Sequence, residues 1–379
     1  MYPNKRVGWD MRAGLRLLCP RRLPAVAATR RLGSRISSGR SLPRRFASSS
    51  SSAEDRGAPK AAAAPQAGTL LPPFLDECLR GVGQVIFLNS PASGALTLAA
   101  LVYGDPWLGA LAAAGTASAT ATARVAGLDA AAISAGLYGY NGCLVGCAFA
   151  VFLGLPAGSP AAAAAAVGGA ALTAPLAAAL KPLCGGVPQW TWAFNTIALA
   201  SLAVIRPLAG APPADPAAAL SAVEWVLSPL AGVAQIFVVG DAVSGAMILG
   251  ATALYSPACA VAAAYGSAVG AGTGYLLGAP AAEIATGLWG FNPSLTALAV
   301  SVFYVPSAGA AALATGGAVA TAAVFGGAKG AVAASLGIPI ATLPFCAVAS
   351  GCHLLSHANL PGLVLAAAPH SPEKNVAAG

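Results

Sequence analysis

The chain has 379 residues, of which 57% are hydrophobic and only 8% are charged. Soluble globular proteins carry about 25% charged residues, so this composition excludes a soluble enzyme, a disordered chain and a nucleic-acid-binding module as descriptions of the whole chain. The formal net charge is +8, but residues 1–60 hold 14 Lys and Arg against 3 Asp and Glu. The rest is therefore slightly acidic and almost uncharged, which is typical of a multi-span membrane protein with a basic tail.

The N-terminal segment, residues 1–60, is rich in Arg and Ser and poor in acidic residues. This pattern is typical of an organellar transit peptide, and a disordered cytoplasmic tail attracted to anionic lipid is the alternative. The plasma membrane and an organellar membrane therefore both stay open as locations. Residues 61–73, with their Ala, Pro and Gly, are a predicted linker, and residues 363–379 are a predicted C-terminal tail.

An internal repeat with a constant offset of 151 residues runs through the apolar region. The matching segments are Gly81–Val85 with Gly232–Ile236, Gly136–Asn141 with Gly287–Asn292, and Pro188 and Thr191 with Pro339 and Thr342. A bias toward Ala and Gly would not align Gln, Asn and Thr at one spacing. The pattern therefore indicates a true duplication.

The length of the repeat predicts its topology. A unit of 151 residues has room for five membrane crossings at roughly 30 residues each. Because five is odd, the second copy enters the bilayer from the opposite side. The prediction is an all-α membrane protein of two inverted repeats, residues 74–210 and 211–362, each with about five transmembrane helices and re-entrant half-helices around a central pore.

Polar residues that recur at matched positions are candidates for a site where the two halves meet. Gln84 and Gln235 lie in apolar segments, where a buried amide needs partners; a helix–helix hydrogen bond is the simpler interpretation of either one alone. Thr191 and Thr342 each follow a proline by three residues. Proline frees backbone carbonyls, and such irregular backbone is tolerated at membrane depth where it lines a cavity.

Aromatic residues also recur at matched positions. Tyr140 and Phe291 are followed one turn later by Leu144 and Leu295, so each pair shares a helix face. Either aromatic alone is equally well a packing residue. Paired across an inverted repeat, they would form two flat apolar slots, which suit a flat solute.

The few charged and titratable residues argue against ion transport and catalysis. The repeated positions contain no Asp, Glu, Lys, Arg or His, which disfavours a permanent ion and a proton-coupled carrier. Glu283 is expected near an entrance and Asp241 in a vestibule. His353 and His357 have the spacing of a metal-ligand pair, but no third ligand accompanies them, so we predict no metal and no cofactor. The eight cysteines are interpreted as packing residues.

The repeated motifs resemble those of the urea transporter family over roughly residues 74–360. The motifs that carry the resemblance are Gly81–Phe87 followed by Asn89-Ser90-Pro91, Gly136–Asn141, Gly287–Asn292 and Thr342–Phe345. The resemblance implies passive, single-file passage of urea through one pore per subunit of a homotrimer in the lipid bilayer, with no enzymatic activity and no nucleic-acid partner. The pore residues it implies are Gln84, Val85, Phe87, Tyr140, Leu144 and Thr191 in the first half, and Gln235, Ile236, Phe291, Leu295 and Thr342 in the second.

The chain also departs from the family pattern in three places. The first Thr-x-Pro-Phe segment lacks its proline, Gly240-Asp241-Ala242 replaces the second Asn-Asn-Pro, and Tyr140 carries a hydroxyl where phenylalanine would leave an apolar plate. Two alternatives stay open. One is a channel for another small neutral solute, such as ammonia, water or a short amide. The other is a membrane scaffold that does not transport. An intramembrane enzyme would rest on the two histidines alone.

Overall fold

The computed structural model describes residues 71–205, 219–333 and 336–376, and helices are the only regular secondary structure over these residues, apart from one isolated bridge between Tyr304 and Leu365. This confirms the predicted all-α class. The predicted N-terminal segment, residues 1–60, and nearly all of the predicted linker lie outside the described residues.

The described helices fall into two sets, one in each half of the chain. The first set is α1 (Pro73–Gln84), α2 (Pro91–Gly104), α3 (Pro106–Val125), α4 (Ala130–Ser134), α5 (Gly139–Phe152), α6 (Pro160–Leu180) and α7 (Trp192–Ile205). The second set is α8 (Ala222–Ala234), α9 (Ala242–Tyr255), α10 (Pro257–Leu276), α11 (Ala281–Ala285), α12 (Phe291–Phe303), α13 (Ala308–Ala328) and α14 (Leu343–Leu354). Helices α9, α10 and α11 begin and end 151 residues after α2, α3 and α4.

Backbone conformations outside the helices follow the same offset. Phe87 and Val238 both have a φ of +64°, and Trp190 and Ala341 have φ values of +44° and +50°. Left-handed conformations are uncommon for residues other than glycine. Two such pairs at one spacing show that the two sets of helices are joined by equivalent turns.

The start of α3 and the start of α10 are capped by carboxylates from different parts of the chain. Asp105 accepts hydrogen bonds from Trp107 N at 2.8 Å and Leu108 N at 3.2 Å, a cap worth about 1 kcal/mol. The position equivalent to Asp105 is Ser256, which lacks a carboxylate. Glu373 supplies one, because it accepts from Ala258 N at 2.9 Å and from Ser256 Oγ at 2.7 Å.

The segment predicted as a C-terminal tail packs against the second half of the chain. Asn375 Nδ2 donates to Val302 O at 2.8 Å, and Ala366 N donates to Phe303 O at 2.9 Å. Together with Glu373, these bonds hold residues 363–376 against the C-terminal end of α12 and the N-terminal end of α10.

Two glycines allow helices to cross at very short range. A Cβ at Gly94 in α2 would lie 1.8 Å from Leu79 O, and one at Gly245 in α9 would lie 1.9 Å from Leu230 O. No other residue fits at either crossing. Close approach of this kind is how helices associate where lipid removes the hydrophobic drive for packing.

The lengths of the helices divide them into two groups. The segments Pro160–Cys184 and Ala308–Ala331, which contain α6 and α13, are long and apolar enough to cross a membrane, with mean hydropathies of 1.7 and 1.6. Helices α2 and α9 have 14 residues each, or about 21 Å at 1.5 Å per residue. This is shorter than the roughly 30 Å hydrocarbon core of a bilayer. These two helices pack on each other, and Ser244 Oγ donates to Ala100 O at 3.1 Å.

Candidate functional site

The two threonines predicted from the repeat contact each other directly. Thr191 Oγ1 and Thr342 Oγ1 are 2.6 Å apart, and each residue is only 3% exposed. Thr191 directly precedes α7 and Thr342 directly precedes α14. The site therefore contains a residue in contact with its own copy in the other half.

One amide fixes this pair of hydroxyls. Asn195 Nδ2 donates to Thr342 Oγ1 at 2.9 Å and to Thr191 O at 3.0 Å, while its Oδ1 accepts from Thr342 N at 3.1 Å. The copy of Asn195 in the second half is Cys346, whose Sγ lies 3.1 Å from Thr191 Oγ1. Asn195 was not predicted from the sequence, although an Asn one turn after Thr191 in an apolar run was a signal that could have identified it.

The repeated Gly-Leu-aromatic-Gly-aromatic-Asn motif holds the turns that carry the threonines. Asn141 Oδ1 accepts from Phe194 N at 3.0 Å, and Asn292 Oδ1 accepts from Phe345 N at 3.2 Å. Both asparagines are 1% exposed. The same bond in both halves anchors the first turn of α7 to α5 and the first turn of α14 to α12.

A cavity of about 50 Å³ adjoins Thr342 and brings together four of the predicted site residues. They are Gln235, Ile236, Phe291 and Thr342. A single water needs roughly 10–15 Å³ of such space, so the cavity has room for a few atoms of that size. Its walls are mainly apolar, with the Phe291 ring as a flat surface and the amide and hydroxyl as hydrogen-bonding groups.

The predicted site residues of the first half do not form an equivalent open space. Val85 and Leu144 are 3% and 1% exposed and belong to the hydrophobic core. Gln84 Nε2 donates to Ala135 O at 2.9 Å. The Phe87 ring lies edge-on to Trp190, and Tyr140 Oη donates to Trp190 O. Tyr140 therefore forms a hydrogen bond where the Phe291 ring has none.

Two further residues that were predicted to lie at the passage do not line the cavity: one is buried in the core, and the other caps a helix. Leu295 is 1% exposed and lies in the core beside the cavity rather than in its wall. Asp241, expected in a vestibule, accepts from Ser244 N at 2.8 Å and caps α9.

The expectation of an uncharged site needs one correction. Lys329 lines the cavity, and its ammonium pairs with Glu283, which also accepts from Trp289 Nε1 at 2.9 Å. Glu283 is 4% exposed and does not itself line the cavity. The copies of Glu283 and Lys329 in the first half are alanines. The repeat could not reveal this pair, because neither residue has a polar counterpart in the first half.

The histidines and cysteines form no metal centre in the part of the chain that the structure describes. No group of three or more His, Cys, Asp or Glu there has the arrangement of metal ligands. His353 lies in the last turn of α14 and His357 in the 3₁₀ turn that follows. Five of the described cysteines are buried and none is in a disulfide.

An apolar, all-helical chain that brings amide and hydroxyl groups to a cavity of small-solute size has the architecture of a membrane transport protein. The family model described as "Urea transporter" matches residues 75–357. The chain is 32% identical over 287 residues to urea transporter 1 of Ovis aries, covering 72% of this chain and 74% of that protein, and equally identical over 288 residues, with the same coverage, to urea transporter 1 of Rattus norvegicus. The chain belongs to the urea transporter family, an integral membrane family of transporters rather than enzymes.

Proposed function

We propose that this chain conducts urea passively across a membrane, through a passage that runs from the cavity past the Thr191–Thr342 pair. The observation that carries the proposal is the cavity itself, in which Gln235 and Thr342 stand beside the flat ring of Phe291. Urea is planar and neutral, with four N–H donors. Each hydrogen bond lost without replacement costs about 1–3 kcal/mol, and fixed amide and hydroxyl oxygens reduce that barrier.

The architecture we propose for this passage is two inverted repeats of about five transmembrane helices each. A residue that contacts its own copy lies on the two-fold axis that relates the copies, and the Thr191–Thr342 contact fits such an axis. The odd number of crossings in each repeat puts the axis in the membrane plane. Helices α2 and α9, which occupy equivalent positions and pack on each other, are proposed as the re-entrant half-helices.

The proposed site comprises all eleven predicted residues, ten of them in the lining of the passage and Leu295 behind it. Gln235, Ile236, Phe291 and Thr342 contact the solute in the cavity. Gln84, Val85, Phe87, Tyr140 and Leu144 are proposed as the equivalent wall in the first half. Thr191 supplies a hydroxyl at the junction, and Leu295 supports the Phe291 ring from the core.

The assembly is proposed to be a homotrimer in the lipid bilayer, with one passage per subunit. Chemical cross-linking of the full-length chain in membranes tests this, with a three-subunit product expected and a dimer or monomer alone as the contrary result. Imaging of a C-terminally tagged chain decides between the plasma membrane and an organellar membrane.

The function is tested by urea uptake into vesicles that contain the full-length chain. Gln235→Leu and Thr342→Val are expected to reduce the rate about tenfold each, because each removes an oxygen or nitrogen partner worth roughly 1–3 kcal/mol. Thr196→Val is the matched control, since Thr196 lies exposed on α7 and bonds only to Trp192 O in the described structure. Uptake should be independent of ion gradients. Vesicles that admit water or ammonia but no urea would contradict the proposal, and so would unchanged uptake in both variants.

A further inference from the structure

The described part of the molecule contains a second, smaller cavity, and five of the eight residues that line it are the counterparts of residues that line the first. The larger cavity is lined by Ala148, Phe152, Ala198, Leu202 and Ala341, among others. The smaller cavity is lined by Ala299, Phe303, Ala349, His353 and Trp190. Each residue of the second set is the 151-residue counterpart of one in the first. The two cavities are therefore the same place in the two halves.

The two cavities differ in volume, and the largest difference in side-chain size between their equivalent positions is that of Trp190 and Ala341. The larger holds about 50 Å³ and the smaller about 10 Å³, which is room for no more than one water. Ala341 and Trp190 occupy equivalent positions with nearly the same backbone, at φ values of +50° and +44°. The backbone thus directs both side chains in the same way, and the indole fills what a methyl group leaves open.

The Trp190 indole is held firmly in the smaller cavity. Its Nε1 donates to Ser350 Oγ at 3.0 Å, and its ring lies edge-on to Phe303 and Phe345 at centroid distances of 5.2 and 5.5 Å. Trp190 is 5% exposed. Tyr140 Oη donates to Trp190 O, whereas the equivalent carbonyl, Ala341 O, accepts from Asn292 Nδ2.

We propose that Trp190 is the size-limiting residue of the passage, because its indole occupies the space that corresponds, across the repeat, to the larger cavity beside Thr342. This rests on the proposed function. The passage is then asymmetric, with a roomy cavity at Ala341 and a constriction at Trp190. Tyr140 is a positioning residue, since its hydroxyl fixes the backbone from which the indole projects.

The test compares the uptake of urea and 1,3-dimethylurea by vesicles that contain the full-length chain or its variants. Trp190→Ala is expected to raise the ratio of dimethylurea to urea uptake about tenfold or more, the lower end of the scale on which a pocket distinguishes one methylene group. Trp190→Phe should raise the same ratio to an intermediate value. It replaces Trp190→Ala in the test if the alanine variant does not insert into the membrane. Ala341→Trp should reduce urea uptake by filling the larger cavity.

Trp192→Leu is the matched control, because it removes a neighbouring indole that lines neither cavity and introduces the residue found at its counterpart, Leu343. Its uptake ratio should equal that of the unmodified chain. An unchanged ratio in both Trp190 variants overturns the inference. If the unmodified chain takes up no urea, the proposed function fails instead.

A second measurement does not depend on urea. Cys352 lines the smaller cavity and is 6% exposed, so its alkylation by a small thiol reagent reports access to that space. Mass spectrometry should show faster alkylation of Cys352 in Trp190→Ala and, to a lesser degree, in Tyr140→Phe, with Trp192→Leu unchanged. Equal alkylation rates in Trp190→Ala and the unmodified chain would show that the indole does not close the cavity.

Discussion

The two halves of the molecule have the same backbone arrangement, but their side chains differ at several equivalent positions. Helices and left-handed turns recur 151 residues apart, and the same Asn-to-backbone bond anchors the first turns of α7 and α14. At other equivalent positions the residues differ: Trp190 corresponds to Ala341, Tyr140 to Phe291, and Asn195 to Cys346. The asparagines that hold the turns in place are the same in both halves, whereas several side chains at the cavities and the junction differ.

Substitutions at Gly94 and Gly245 test whether both halves depend equally on the close helix crossings at these glycines. They are expected to cause the largest loss of stability among these predictions. Gly94→Val and Gly245→Val each place carbon atoms within about 2 Å of a backbone oxygen, so both variants should lose several kcal/mol of stability or fail to fold. Gly250→Val is the control, because a Cβ at Gly250 meets open space. Thermal unfolding in detergent measures the loss. A Gly94→Val variant as stable as the Gly250→Val variant would show that the crossing is not tight.

Asn195 tests a feature that only the first half provides. Asn195→Leu removes the acceptor of Thr342 N and the donor to both threonines in a buried site. Leaving such groups without a partner costs about 1–3 kcal/mol, and thermal unfolding should show a loss of that size. Cys346→Ala should cost less, since the thiol is a weak partner. Equal losses in the two variants would contradict the view that Asn195 alone fixes the junction.

The helix caps of α3 and α10 give a prediction about pH. Burial opposes ionisation of Glu373, but hydrogen bonds from Ala258 N and Ser256 Oγ outweigh it and lower the pKa of Glu373 from 4.5 to about 2. A lowered pKa stabilises the folded state above pH 4.5, and this contribution is lost as the pH falls from 4.5 toward 2. Glu373→Gln should therefore be less stable than the unmodified chain at pH 7, by less than the Asn195 variant. The difference in melting temperature should shrink toward pH 2–3; a difference that does not vary with pH would contradict the prediction.

The smallest effect is expected at an ion pair that the first half has and the second lacks. Lys181 Nζ lies 3.7 Å from Asp129 Oδ2, with the two side chains 66% and 48% exposed. The position equivalent to Asp129 is Pro280. Exposed pairs of this kind contribute about 0.2–1 kcal/mol, so Lys181→Ala should change stability by no more than that. A decrease of more than about 1 kcal/mol in the free energy of unfolding would contradict the view that this is an ordinary solvent-exposed ion pair.

The sequence predicted the repeated arrangement of the two halves better than it predicted the residues of the site. Thr191 and Thr342 could be found because a duplication leaves matched polar residues in an apolar background. The roles of Trp190 and Lys329 could not be found in this way. Both depend on a difference between the copies, and the effect of a difference is visible only when the volume and charge around each copy are known.

Asn141 and Asn292 show a further limit. Both stood in the repeated motif, yet their hydrogen bonds to Phe194 N and Phe345 N join segments 53 residues apart. A side chain that satisfies a distant backbone N–H leaves no periodicity in its own segment. Tertiary contacts of this kind are therefore not predictable from one sequence.

The contact between Thr191 and Thr342 has a consequence for the ancestry of the fold. A residue that contacts its own copy lies in a self-complementary surface, and two identical units can associate through such a surface. A single ancestral unit of half this length could therefore have paired with itself around the same hydroxyls before its gene was duplicated and fused. Within one chain each copy can change alone, so a tryptophan at one of the two equivalent positions leaves the space at the other open.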